Sequence, residues 1–152
     1  MRRLVLAAFT FGTLAAGPAV AAPRWTLDID GDGAMLTTGA PHHGGPGVTA
    51  LNCAGGEKAA TINFISPRHQ TDGGEVRATI RSGSVVGRFP AEAAADDETG
   101  GTAIETTVSM TTPVMRAFAR TGKLRLTAFG AGPADAPVPP AKAARFARVC
   151  LQ

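Results

Sequence analysis

The chain has 152 residues, 44% of them hydrophobic and 18% charged, with a formal charge of +3. This is globular composition, enough for one domain with a single modest core, and it excludes a disordered or collagen-like chain. Arg2 and Arg3 lie in a leader-like segment, and without them the formal charge falls to +1, so the basic pI is no ground for nucleic-acid binding.

The segment from Met1 to Ala21 has the layout of a secretory signal peptide. Arg2 and Arg3 form a positive start, Leu4 to Ala16 an apolar stretch, and Ala19-Val20-Ala21 a small-x-small cleavage site. The apolar stretch is shorter than the ~20 residues that a spanning helix needs. Residues 22–152 are therefore expected as one periplasmic or secreted domain with no membrane span. The arginine pair leaves Sec and twin-arginine export both open.

Trp25, Leu27 and Ile29 alternate with Thr26, Asp28 and Asp30, the period of a half-buried strand. A second short strand is expected at Ala34 to Thr38. GAPHHGGPG, residues 39–47, is a loop by its glycines and prolines. Val48 to Cys53 and Lys58 to Ser66 read as a hairpin across Ala54-Gly55-Gly56. Glu75 to Phe89 reads as another, turning at Ser82-Gly83. Ala91 to Gly101 reads as an acidic connection. Thr102 to Met110, rich in Thr, Ile and Val, is a strand.

Two helices are expected after that. Thr112 and Pro113 supply an N-cap and a first-turn proline, and Gly122 supplies the stop. Val114, Met115 and Phe118 give that helix an apolar face. Lys123 to Gly130 returns to strand alternation, with Leu124 and Leu126 inward and Lys123 and Arg125 outward. Residues 131–140 are a proline-rich extended connector. The last stretch, AKAARFARVCLQ, has high helix propensity, with Ala143, Phe146 and Cys150 on one face. Many short strands and two short helices predict a mainly β, β-rich α+β domain. Its sheet is either a small antiparallel sandwich or one bent sheet.

Cys53 and Cys150 are the only cysteines, and in an oxidising compartment an even pair reads as a disulfide. It would tie the C-terminal helix to an early strand; two buried thiols are the alternative.

DIDGDGAM, Asp28 to Met35, places Asp28, Asp30 and Asp32 and a glycine where a calcium loop wants them. Position 12 of such a loop, a bidentate Glu, is Gly39 here, and a strand rather than a helix precedes Asp28. A tight hairpin turn with solvent-side aspartates accounts for every residue, with weak surface calcium as the alternative. His42 and His43, with His69 as a third ligand, are candidates for zinc or copper, set against a solvated loop. No G-x-S-x-G, H-E-x-x-H or phosphate-binding glycine loop is present. Ser66, His69 and Asp72 are triad residue types, but too close together on one loop to form a triad by themselves. The expectation is no catalysis and no cofactor.

From Thr112 onward seven Lys or Arg stand against Asp135 alone, whereas residues 22–111 carry six basic and eleven acidic residues. Arg116 and Arg120 share a helical face at i,i+4, and Lys142, Arg145 and Arg148 recur along the last helix. These five are the candidate partner-binding residues.

TTPVMRAFARTGKLRL followed by a connector and ARFARVC gives a helix, a glycine, a strand and a terminal helix closing on cysteine. Together with the early cysteine after a strand, this order resembles small exported bacterial proteins of the invasion-associated locus B type. It also resembles the TagO type associated with type VI secretion. The match runs from about Val48 to Cys150, without the further cysteines and aromatic positions common in those proteins. The resemblance implies a β-rich cell-envelope domain without catalysis and carries over no functional residue. The leading expectation is thus a non-enzymatic binding or accessory domain acting on an envelope protein or anionic polymer. A hydrolase inhibitor and a metal-dependent or hydrolytic enzyme using the histidines are the alternatives.

Overall fold

A computed structural model of the chain describes residues 24–38, 49–67, 73–132 and 137–152. Eight strands form one antiparallel sheet curled into a half-barrel, the bent-sheet alternative rather than the sandwich. They are β1 (Trp25–Asp30), β2 (Gly33–Thr38), β3 (Thr49–Cys53), β4 (Ala59–Ser66), β5 (Gly74–Ser82), β6 (Val85–Asp96), β7 (Gly101–Ser109) and β8 (Arg125–Thr127). Helix α1 (Pro113–Thr121) falls between β7 and β8, and α2 (Pro140–Cys150) follows β8. The order across the sheet is β1-β2-β3-β4-β7-β6-β5-β8.

The β1–β2 hairpin closes through Gly31-Asp32, with Asp30 opposite Gly33. Gly31 has φ 59°, the positive value that such a two-residue turn requires at its first central residue. The expected hairpins of β3 with β4 and of β5 with β6 are present in antiparallel register.

The stretch expected as an acidic connection is instead largely strand. β6 continues through Ala91 to Asp96, and only residues 97–100 turn. Ala91 and Ala93 are buried while Glu92 is exposed, so this segment alternates like a strand despite its weak β propensity. Pairing on both sides supplies what propensity lacks: Ala93 lies opposite Gly74 on β5 and Ile104 on β7. The strand expected over Lys123 to Gly130 is shorter than its alternation, with only Arg125–Thr127 in the ladder.

The sheet forks between β6 and β7. Their ladder covers only Glu92–Asp96 against Gly101–Glu105, although both strands run on beyond it. Pro90, which has no N–H to donate, stands where β6 leaves its partner. There the Thr106 hydroxyl donates to the Pro90 carbonyl at 2.7 Å, replacing a ladder bond with a side-chain bond. Beyond the fork, β6, β5 and β8 form a separate three-stranded arm. Helix α1 leaves the end of β7 and packs against β5, β6 and α2.

One sheet face carries the core. Leu36, Leu51, Ile62, Phe64, Ile80, Ile104 and Leu126 meet Val114, Met115 and Phe118 of α1 and Ala143 and Phe146 of α2. Phe64, Phe118 and Phe146 are fully buried, each contributing roughly 1.5–3 kcal/mol by leaving water. Both helices therefore lie on the same side of the sheet. Cys53 and Cys150 are bonded, with Cα atoms 5.6 Å apart, joining α2 to β3 as expected.

Thr112 occupies the N-cap position of α1, but its side chain does not cap the helix. Its hydroxyl donates to the Ser109 carbonyl at 2.8 Å, and only its backbone carbonyl accepts from the Arg116 N–H. The hydroxyl is drawn to the carbonyl three residues back, which the tight turn out of β7 brings within reach.

Candidate functional site

The sequence-derived candidates disperse in the fold. Asp28 and Asp30 point outward from β1, Asp32 sits in the hairpin turn, and all three are exposed. Among the described residues, no three His, Cys, Asp or Glu side chains come together as a metal-binding group. His42, His43, His69 and Asp72 lie outside the described residues. Ser66 is fully buried, and its hydroxyl donates to the Ala128 carbonyl at 3.4 Å, so it serves packing between β4 and the bridge after β8.

Of the five basic residues of the helices, four are exposed and Lys142 is half-buried. Arg116 and Arg120 of α1 and Arg145 and Arg148 of α2 are exposed, on two helices packed against each other. Arg120 and Arg148 occupy the last turns of their helices, where a cation complements the helix dipole. Lys142 differs from the other four in having a partner within the fold. It is half-buried, and its ammonium donates to the Trp25 carbonyl, so it joins α2 to the edge strand β1.

A denser set of cations occupies the arm. On β5 the outward positions are Glu75, Arg77, Thr79 and Arg81, while Val76, Ala78, Ile80 and Ser82 turn to the core. Arg88 of β6 lies opposite Thr79, so it is the diagonal neighbour of both Arg77 and Arg81. Arg125 of β8 lies directly opposite Arg81 on the other side. Side chains directly opposite stand about 4.5–5.5 Å apart at Cβ and diagonal ones about 7–8 Å, so these four guanidinium groups share one exposed face. No carboxylate is a register neighbour of Arg81 or Arg88. Like charges so placed repel and cost stability.

The opposite charge collects on the same face across the fork. Glu75, Glu92 and Glu105 stand in one cross-strand row, continued by Asn63 on β4 and Ala50 on β3. A shallow groove of about 430 Å³ runs there over Ala50, Asn63, Ile65 and Ala103, with Glu92 and Glu105 also in its lining.

At its free end the arm closes on a smaller pocket of about 280 Å³. Arg81, Gly83, Lys123, Leu124, Arg125 and Pro137 line it, and most of the lining surface is apolar. Its walls are fixed by backbone bonds. The Gly122 N–H donates to the Phe118 carbonyl at 2.8 Å, and the Val138 N–H donates to the Gly122 carbonyl at 2.9 Å. The Thr121 hydroxyl lies 3.2 Å from that of Ser82 and accepts from the Lys123 N–H at 3.2 Å, linking the end of α1 to the end of β5. Arg81, Lys123 and Arg125, all exposed, border this mainly apolar hollow.

Sequence reasoning passed over Arg77, Arg81 and Arg88. The signal was present in part, since their alternation with Val76, Ala78, Ile80 and Phe89 places them outward. What was missing is the neighbour: nothing local says that β8 adds its Arg125 to the β5 edge.

Compared with known proteins, the chain matches no family model, and neither a curated protein nor a solved structure is significantly similar to it.

Proposed function

We propose that the chain is a non-enzymatic binding module that holds an anionic polymer of the cell envelope. The single observation carrying this reading is the array of Arg77, Arg81 and Arg88 on the exposed face of the arm. Arg77, Arg81 and Arg88, gathered on adjacent strands against their mutual repulsion, make a surface suited to a ligand with several anionic groups. Guanidinium forks match carboxylate and phosphate oxygens two at a time, and such charge-assisted bonds are about twice as strong as neutral ones. The leader-like segment and the Cys53–Cys150 disulfide fit an extracytoplasmic place of work. No described helix is long and apolar enough to cross a membrane.

Binding of the disulfide-bonded protein to long-chain inorganic polyphosphate, immobilised and read across a salt series, tests the reading. Affinity is expected to fall as salt shortens the Debye length from ~10 Å at 0.1 M to ~3 Å at 1 M. It is also expected to drop in an Arg77→Gln, Arg88→Gln variant and to change little in an Arg116→Glu, Arg120→Glu, Arg145→Glu variant. Loss in the helix variant alone would transfer the function to α1 and α2. Unchanged binding in both would end it.

A further inference from the structure

Two groups of like charge share the outward face of the sheet, at opposite ends of the β5–β6 hairpin. Glu75 stands near one end of β5 and Arg81 near the other, separated by ~20 Å at the rise of a strand. On β6, Glu92 lies opposite Glu75 and Val86 lies opposite Arg81. Glu105 of β7 extends the acidic end, and Arg88 of β6 strengthens the basic one. Val86 is a large apolar side chain left 45% exposed, with Arg81 across the ladder and Arg88 two residues along its own strand. The groove at the acidic end has the converse composition, with Ile65, Ala94 and Ala103 in its lining beside Glu92 and Glu105. One end of the face therefore presents an apolar side chain among arginines. The other presents an apolar groove among glutamates.

We propose that this face pairs with a second copy of the chain about a two-fold axis, the arm of each copy meeting the acidic groove of the other. An axis lying in the face, across the strands and level with Ala78 and Phe89, exchanges the two ends of the hairpin. It sets Glu75 against Arg81 of the second copy and Glu92 against its Val86. Pro90 then meets Arg88 of the second copy and Arg77 meets its Thr79, so no arginine faces an arginine. A two-fold axis repeats every contact, so both halves of the exchange form together. Complementary charges fix register and steer encounter more than they add affinity, which makes the dimer sensitive to salt. The pairing does not rest on the polymer reading. It draws on the same arginines, so a second copy and a polymer exclude one another.

Sedimentation velocity of the disulfide-bonded protein over a concentration series tests the pairing. A monomer–dimer equilibrium is expected at 0.1 M salt, shifting to monomer at 1 M as the Debye length falls from ~10 Å to ~3 Å. A basic variant, Glu75→Lys, Glu92→Lys, Glu105→Lys, and an acidic variant, Arg77→Glu, Arg81→Glu, Arg88→Glu, should each remain monomeric. Mixed together they should form a heterodimer, because each contact that repels within one variant attracts between the two. All these side chains are exposed, so the changes leave the core alone. The single changes Glu75→Lys and Arg81→Glu repeat the exchange should a triple variant unfold. Val86→Ser keeps the charge and should weaken the dimer about tenfold, since two such side chains are covered in each dimer.

A native protein that stays monomeric at every concentration overturns the proposal, as do dimers that 1 M salt leaves intact. Folded variants that fail to pair on mixing overturn it too. Polyphosphate separates this outcome from that of the proposed function. Salt-sensitive dimers in a protein that does not bind polyphosphate uphold the pairing and reject the polymer reading. Polyphosphate binding by a protein that never dimerises does the reverse. If both hold, polyphosphate splits the dimer; a dimer that takes up polyphosphate through Arg88 and stays whole overturns the pairing.

Discussion

Gly122 and Val138 hold each other at backbone distance. The Val138 N–H donates to the Gly122 carbonyl at 2.9 Å, and a Cβ on Gly122 would lie 1.9 Å from the Val138 carbonyl oxygen. Gly122 also has φ 67°, in the left-handed region that ends α1. An alanine there meets two penalties at once, backbone strain and a collision that no side-chain rotation relieves. Gly122→Ala is expected to destabilise the protein by about 2 kcal/mol or more, read as a lower urea midpoint.

The disulfide closes a loop of 97 residues in separation, from β3 to the last residue of α2. In the chain-entropy model such a link is worth roughly 4–5 kcal/mol through the unfolded state. A Cys53→Ser, Cys150→Ser variant is therefore expected to lose about that much stability. α2 should lose amide-exchange protection first, because it is the last element of the chain and loses its cross-link to β3. Equal urea midpoints for oxidised and reduced protein would contradict this.

Thr106 is 2% exposed, and its hydroxyl is the bond across the fork to Pro90. Thr106→Val keeps the side-chain shape and removes that donor, leaving the Pro90 carbonyl to find another partner. The expected cost is about 1–2 kcal/mol, with m unchanged. A stability equal to the parent protein would mean that water replaces the hydroxyl and that the fork is held by α1 alone.

Glu105 faces Glu92 directly across the β6–β7 ladder, and Glu92 faces Glu75 across β5–β6. Removing the charge nearest the sheet centre relieves a like-charge contact. Glu105→Gln is expected to raise stability by a few tenths of a kcal/mol, about what exposed cross-strand pairs contribute. The gain should shrink in 1 M salt, where the repulsion is screened.

Most of the strands were legible because alternation is a local property. Trp25, Leu27 and Ile29 face the core, while Thr26, Asp28 and Asp30 face out, as period two requires. The limits of α1 were equally plain, with Pro113 at its start and Gly122 at its stop. The cysteine pairing followed from there being two of them in a chain expected to be exported. The second half of β6 was not legible: Ala94, Ala95 and Asp96 have poor strand propensity, and only the neighbours β5 and β7 hold Ala91–Asp96 extended.

The candidate site divides along the same line. That Arg77, Arg81, Arg88, Lys123 and Arg125 project outward is written in the alternation around each of them. That they meet depends on strand order, with β8 adding to the β5 edge after α1 has crossed the fork. Lys142 shows the converse, since helical spacing assigns it to a basic surface and packing of α2 turns it to the Trp25 carbonyl. Side-chain direction is set by φ, ψ and period, which act within a few residues. Which strands become neighbours is set by burial of apolar faces from distant parts of the chain, such as Ile80 against Leu126 and Phe64 against Ile104, and that appears only when the whole core is assembled.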